Sequence, residues 1–106
     1  MRVYVAGKLN DMAINYIKNM SVMMAFAEEI RKLGHAVYVP CLDFQMGLMF
    51  GDWMYDDYFN NSQQWLKVSD AVFVVPGYET SEGTNREIEL AEKLGIPVCY
   101  KVKDLQ

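Results

Sequence analysis

Side chains that bind metals or form disulfides are scarce in this 106-residue chain. There is one histidine, His35, and the two cysteines, Cys41 and Cys99, are far apart in the sequence. Two cysteines cannot build a disulfide framework, and no metal-ligand spacing is present, so we expect neither a structural disulfide nor a bound metal. We interpret both cysteines as reduced thiols, which favours a cytoplasmic location.

Positive charge is also sparse, because ten Lys and Arg residues face fourteen Asp and Glu residues, for a net charge of -4. Nucleic acid polymers and anionic membranes bind to clustered cations, so neither is an expected partner. No apolar run approaches the roughly 18 residues of a membrane span. The chain opens directly into the apolar run Val3–Ala6, and we therefore expect no leader segment.

Short apolar runs do alternate with segments of helical periodicity. The predicted strands are Val3–Ala6, His35–Pro40, Ala71–Val75 and Ile96–Tyr100, and the predicted helices are 13–33, 53–68 and 84–94, with an irregular segment at 41–51. Such alternation is typical of a parallel sheet that is covered on both faces. The prediction is a single α/β domain over residues 1–106. Its fold is a three-layer α/β/α sandwich, Rossmann-like, with an open parallel sheet of about four strands.

Ligands of such sheets bind beyond the carboxyl ends of the strands. This rule selects the loops that follow Ala6, Pro40 and Val75. In the first loop, Gly7 lets a ligand approach the backbone, and Lys8 can contact an anion. A plain strand-to-helix turn is an equally good interpretation of this loop.

The loop after Val75 holds the residues best suited to chemistry. Ser81, Gly83 and Thr84 lie where the third predicted helix begins, and free N–H groups there can bind a phosphate. Glu87 is predicted in the first helical turn, where the helix dipole favours the ionised form that a carboxylate nucleophile needs. Thr84 and Glu87 also fit a capping box with Thr84 as the N-cap, and the two interpretations are compatible.

The segment 41–54, CLDFQMGLMFGDWM, is unusually apolar for a loop. One interpretation, which we favour, is a subunit interface and hence a homo-oligomer. The other is an apolar slot for a flat ligand such as a nucleobase, which would lie near Phe44 and Trp53. Elsewhere we interpret His35 as part of a surface turn and Trp65 as a core residue.

Taken in order, four segments of this chain resemble the nucleoside 2-deoxyribosyltransferase superfamily, and most closely the 2'-deoxynucleoside 5'-phosphate N-hydrolases. They are VYVAG, WLKVSDAVFVV, PGYETSEGT and REIELAEKLGIPV, and together they span residues 3 to about 98. The resemblance implies cleavage of an N-glycosidic bond, by hydrolysis or base transfer, without a cofactor. Its implied partner is a small nucleoside or nucleotide.

The matched positions carry implied roles. Glu87 matches the nucleophile and Tyr4 a tyrosine that lies against it, while Ser81 matches a serine that helps to hold the 5'-phosphate. Gly7 matches a glycine of the ligand site. Families with established activity have an aspartate three residues before Trp65, and this chain has Ser62 there.

The missing aspartate keeps two further hypotheses open. One is a binding or sensor module that holds a nucleotide without reacting, and the other is an assembly protein with an unused crevice. If the protein is an enzyme, a carboxylate could come from Asp43, Asp56 or Asp57. For Asp56 and Asp57 the simpler interpretation is an acidic first turn of the second predicted helix.

Overall fold

The computed structural model describes residues 1–9 and 12–106 and contains a four-stranded parallel sheet. The strands are β1 (Arg2–Ala6), β2 (Ala36–Tyr38), β3 (Ala71–Val74) and β4 (Val98–Cys99). Their spatial order is β2-β1-β3-β4, and all three neighbouring pairs are parallel. The α/β fold with an open parallel sheet is therefore confirmed.

Within the described residues, four α-helices connect and flank the strands: α1 (Ala13–Lys32), α2 (Asp43–Phe50), α3 (Tyr55–Lys67) and α4 (Glu82–Lys93). Three short 3-10 helices lie at Pro40–Leu42, Tyr78–Thr80 and Val102–Leu105. The prediction of an irregular segment at 41–51 was wrong, because this segment forms the first 3-10 helix and α2. The helix ends at Gly51, whose φ of 77° is a left-handed conformation that favours glycine.

The sheet separates two apolar layers because successive strand residues point to opposite faces. Val3 and Val5 of β1 pack with α1, whereas Tyr4 and Ala6 pack with α3 and α4. Trp65 was predicted in the core, but it is 52% exposed and only stacks on the ring of Tyr38. The position of Tyr4 matters most for the site, since it places a buried hydroxyl on the α4 side of the sheet.

The centre of the sheet is where β1 and β3 lie side by side and the chain order reverses. Their pairing continues to the carboxyl edge, where the Val75 N–H donates to the Ala6 carbonyl at 2.8 Å. Gly7 then passes so close to Val75 that a Cβ on it would lie 2.9 Å from the Val75 Cβ. A side chain at this position would push the two strand ends apart, so the edge requires glycine.

Glycine is also required where α2 packs on α3. Gly47 is buried, and a Cβ there would lie 1.6 Å from the Tyr58 hydroxyl. We expect Gly47→Ala to destabilise the protein by about 1–3 kcal/mol, because the Tyr58 ring must move. Gly83→Ala is the matched control, since its Cβ would meet nothing closer than 3.4 Å. Thermal unfolding of both variants checks this, and equal melting temperatures would contradict it.

Candidate active site

A cavity of about 800 Å³ opens beyond the carboxyl ends of β1 and β3. Its volume lies within the range of small-molecule sites. All three loops selected from the sequence reach it, because parallel strands end at one edge of the sheet. The cavity is lined by Gly7, Lys8, Leu9, Tyr16, Pro40, Asp43, Phe44, Tyr55, Tyr58, Phe59, Ser62, Thr80, Ser81, Glu82, Gly83, Thr84 and Glu87.

Glu87 lines this cavity and is hydrogen-bonded to Tyr4, whose hydroxyl donates to Glu87 Oε2. Tyr4 is completely buried in β1, and Glu87 is partly buried in α4. The two residues are 83 positions apart in sequence. The fold thus brings a carboxylate and a phenol together at the wall of the cavity.

The electrostatic environment of Glu87 differs from the sequence prediction. Helix α4 begins at Glu82, so Glu87 lies in its second turn rather than its first, farther from the helix dipole. Burial raises the pKa of Glu87 to about 7, and the hydrogen bond from Tyr4 only partly opposes this. The expected preference for the ionised form was therefore wrong, because burial favours the protonated carboxyl group. The pKa of Tyr4 is raised well above its usual range by burial and by the neighbouring Glu87.

The N-terminus of α4 is capped by Ser81. Its Oγ accepts a hydrogen bond from the Thr84 N–H at 3.2 Å and lies 2.8 Å from Thr84 Oγ1. The predicted capping box with Thr84 as N-cap was therefore wrong, because the helix starts three residues earlier. This shift leaves Glu87 free of the backbone and available to the cavity, while Ser81, Gly83 and Thr84 line its α4 end.

Lys8 lies at the same end of the cavity as the start of α4. Its Nζ donates to Thr80 Oγ1 at 3.3 Å, which joins the loop after β1 to the loop after β3. A cation beside the first turn of a helix is an arrangement suited to an anion. Neighbouring Gly7 completes this part of the lining.

Aromatic side chains form the opposite part of the wall. Phe44 packs on Tyr16 with ring centroids 4.5 Å apart, and Tyr55, Tyr58 and Phe59 of α3 complete the lining. Trp53 was predicted, with Phe44, to contact a nucleobase, but it is not part of the cavity lining. Its ring packs on Tyr58, with ring centroids 5.0 Å apart.

Ser62 and Asp43 also line the cavity. Ser62 is buried on α3, where its hydroxyl donates to the Phe59 carbonyl at 3.3 Å and also interacts with the Tyr4 hydroxyl. Asp43 starts α2, and its Oδ2 accepts a hydrogen bond from the Tyr38 hydroxyl at 2.7 Å. The position at which the sequence resemblance leads us to expect an aspartate is thus a neutral hydroxyl, and the carboxylate of Asp43 lines the cavity instead.

Four aromatic residues of the cavity lining are not predicted from the sequence, and three of them, Tyr55, Tyr58 and Phe59, share one helix with Ser62. Their spacing of i, i+3, i+4 and i+7 places them on one face of α3, so this pattern was a signal that could have found them. The fourth, Tyr16, lies on α1 and meets Phe44 only through the tertiary structure. No local pattern distinguishes it from a core residue.

Other candidates lie away from the cavity. His35 Nε2 is 2.6 Å from the Leu105 carbonyl oxygen. Asp57 accepts a hydrogen bond from the Met54 N–H at 2.7 Å and so stabilises the start of α3, and Asp56 is exposed. Among residues 1–9 and 12–106, no cluster of three His, Cys, Asp or Glu side chains could hold a metal ion. Within the same residues, every helix is too short or too polar to cross a membrane.

The fold and the cavity define an open parallel α/β protein with a ligand cleft where the strand order reverses. The chain belongs to the DUF4406 family, a domain of unknown function, whose model matches residues 1–100. No curated protein matches it. The solved structure of a 2-deoxyribosyltransferase from the psychrotolerant bacterium Bacillus psychrosaccharolyticus has a similar fold, with a TM-score of 0.65 and 24% identity. The match covers 92% of this chain and 69% of that one, and it confirms the fold that the sequence resemblance implied.

Proposed function

We propose that this protein cleaves the N-glycosidic bond of a nucleoside or a nucleoside 5'-monophosphate, in the ribo or the 2'-deoxy form, by hydrolysis or by transfer of the sugar to a second base. The observation that carries the proposal is the Glu87 carboxylate, which is partly buried, hydrogen-bonded to Tyr4 and open to the cavity. A carboxylate in such a position is suited to nucleophilic attack on a sugar. The sequence resemblance and the shared fold support the same chemistry.

In the proposed reaction, a carboxylate oxygen of ionised Glu87 forms a bond to the anomeric carbon. The bond from that carbon to the base nitrogen breaks, and the base leaves with the electron pair and takes up a proton from solvent. Water, or the nitrogen of a second base, then attacks the glycosyl ester and releases Glu87. Tyr4 orients the carboxylate throughout by its hydrogen bond.

The two ends of the cavity are suited to the two ends of a nucleotide. At the start of α4, Ser81 and Thr84 provide hydroxyls and Gly83 a backbone N–H, and Lys8 adds a positive charge for a phosphate. The aromatic wall provides flat apolar surface for a base. Phe44 belongs to that wall, whereas Trp53 acts only by supporting Tyr58.

The direct test is to incubate the purified protein with ribo- and 2'-deoxynucleosides and their 5'-monophosphates and to measure free base by chromatography. We expect base release, with a larger kcat/KM for the monophosphates than for the matching nucleosides. A second base added to the same reaction separates transfer from hydrolysis. Absence of free base from every compound at millimolar concentration would refute the proposal.

The Tyr4→Phe variant is expected to change the pH dependence of this reaction. The Tyr4 hydroxyl stabilises ionised Glu87, so its loss raises the pKa of a carboxylate that burial already raises to about 7. The rise of kcat/KM with pH should therefore move upward by about one to two pH units. Tyr100→Phe, at an exposed tyrosine, is the control. An unchanged pH profile for Tyr4→Phe contradicts the assigned role of the hydroxyl.

A binding or sensor module is the second candidate, and Ser62 is the observation that favours it. The cavity has a neutral hydroxyl where related families have an aspartate, so the group that handles the sugar and the departing base is changed. A module of this kind would be stabilised thermally by nucleotides without releasing base. The same incubation, followed by thermal unfolding with the unchanged ligand, distinguishes the two functions.

We also propose that the protein forms homo-oligomers. Large apolar side chains are exposed along α2 and at and just before the start of α1, and exposed apolar patches mark protein–protein interaction sites. They are Met12, Ile14, Ile17, Met46, Leu48, Met49 and Phe50. We expect a dimer or larger species in sedimentation velocity, and Met49→Glu should shift it toward the monomer. A monomer at all concentrations tested would contradict this.

A further inference from the structure

Two stacked tyrosines present two carboxylates to the cavity side by side. Tyr4 of β1 is in register with Tyr38 of β2, and their rings stack with centroids 5.4 Å apart. The Tyr4 hydroxyl donates to Glu87, and the Tyr38 hydroxyl donates to Asp43. Burial, the hydrogen bond to Asp43 and the charges of Asp43 and Glu87 all raise the pKa of Tyr38. The parallel register of two adjacent strands therefore directs both carboxylates, Asp43 and the proposed nucleophile, into the lining of one cavity.

Asp43 is a hydrogen-bond acceptor at the wall of the cavity. Its Oδ2 accepts from the Tyr38 hydroxyl at 2.7 Å and from Asn61 Nδ2 at 3.3 Å. In the part of the chain that the structure describes, Oδ1 accepts no hydrogen bond. A carboxylate oxygen accepts hydrogen bonds, so a ligand group that bonds to Oδ1 brings the donor.

The order of the strands determines which part of a nucleotide reaches Asp43. The start of α4, with Ser81 and Thr84, follows β3, while Glu87 is bonded to Tyr4 of β1. Asp43 follows β2, on the other side of β1, and is next to Phe44 in the aromatic wall. A nucleotide with its phosphate at α4 and its anomeric carbon at Glu87 therefore places its base toward Asp43.

We infer that Asp43 is a specificity-determining residue that selects nucleobases presenting an N–H donor, either an amino group or a ring N–H, to its Oδ1. This inference rests on the proposed function for the orientation of the nucleotide. Asp43 is half-buried, and a bound base would shield its Oδ1 from water. An acceptor that loses water without gaining a donor is costly, so bases without an N–H on this edge should bind more weakly.

Binding in a Glu87→Gln background, which stops turnover, tests the inference by calorimetry. The probes are two matched pairs. One pair is 2'-deoxyadenosine 5'-monophosphate and the analogue that lacks the amino group; the other is thymidine 5'-monophosphate and its N3-methyl derivative. We expect the member with the N–H donor to bind about tenfold more tightly in at least one pair. Adding Asp43→Asn should reduce that preference to less than about threefold, while its amide oxygen still accepts from Tyr38.

Asp52→Asn, at an exposed aspartate outside the main cavity, is the control and should retain the full preference.

Equal affinities within both pairs, or a preference that survives Asp43→Asn, would overturn the inference. A failure to bind any of the four probes would also overturn it. The first comparison needs no Asp43 variant, so a folding defect in Asp43→Asn does not prevent the test. Selective binding without base release by the wild type would refute the proposed function and support the inference. Base release by the wild type, without a binding preference within either pair of probes, would support the proposed function and refute the inference.

Discussion

Base release by the Glu87→Gln variant is expected to fall by at least about a thousandfold while the fold is retained. The amide has almost the shape of the carboxyl group and can still accept the hydrogen bond from Tyr4, but it cannot form the glycosyl ester. The loss should appear in kcat, with little change in the affinity for nucleotides. The measurement is free base over time at saturating substrate, accompanied by circular dichroism to verify the fold.

Glu89→Gln provides the matched control because it removes an exposed carboxylate from the same helix. Its activity should remain within about twofold of the wild type. Turnover by Glu87→Gln at the wild-type rate would eliminate the double-displacement mechanism altogether. Trapping the ester should also be possible only when Glu87 is present, and mass spectrometry of the reacting wild-type protein would detect the added sugar.

The Glu87→Gln variant is expected to be more stable than the wild type at pH 8, by about 1–3 kcal/mol in the free energy of unfolding. Burial raises the pKa of Glu87 to about 7, whereas an exposed glutamate titrates near pH 4.3. The folded protein therefore binds more protons than the unfolded chain between these values, and stability is lost as the pH rises through this range. Glutamine carries no charge at any of these pH values, so it avoids that loss.

The direction in which this stability difference changes with pH can be measured directly. The difference in free energy of unfolding between Glu87→Gln and the wild type should be largest near pH 8 and should shrink toward zero near pH 4. Urea unfolding at a series of pH values measures it, and Glu89→Gln should show no comparable trend. A difference that grows at acid pH would mean that the carboxylate is stabilised by the fold instead. The burial argument for the site would then be wrong.

These two results are linked by one property of the site. A carboxylate that is held out of water destabilises the folded protein when it is ionised, yet the same desolvation makes it more reactive toward a sugar. Tyr4 offsets part of the cost through its hydrogen bond. Stability and activity should therefore respond in opposite directions to Glu87→Gln.

Much of the architecture follows from local patterns. The four apolar runs and the helical periodicities predict the strands, α1, α3 and α4, because burial on both faces demands continuous apolar strands. The carboxyl-edge rule then identifies the loops that contain Lys8, Asp43 and Ser81. These predictions needed no knowledge of which residues are neighbours in space.

The segment 41–51 shows where local patterns become insufficient. Its many apolar residues fit a loop, an interface or a helix equally well. In the structure, Gly47 of α2 packs against Tyr58 of α3, and this contact lies outside the segment itself. The capping-box prediction was wrong for a similar reason. Ser81 and Thr84 are both residue types that favour the N-cap position, and only the folded helix shows that Ser81 is the N-cap.

By itself, the sequence determined the kind of sheet, the edge at which a ligand would bind, and Glu87 as the candidate carboxylate. The sequence resemblance also implied the contact of Tyr4 with Glu87, which the structure contains as a hydrogen bond. Only the tertiary structure decided the raised pKa of the Glu87 carboxyl group, the hydrogen bond of Asp43 to Tyr38, and the position of Trp53 outside the cavity lining. The physical reason is that hydropathy and helix signals act over a few neighbouring residues. Desolvation and hydrogen bonding at the site depend instead on groups up to 83 positions apart.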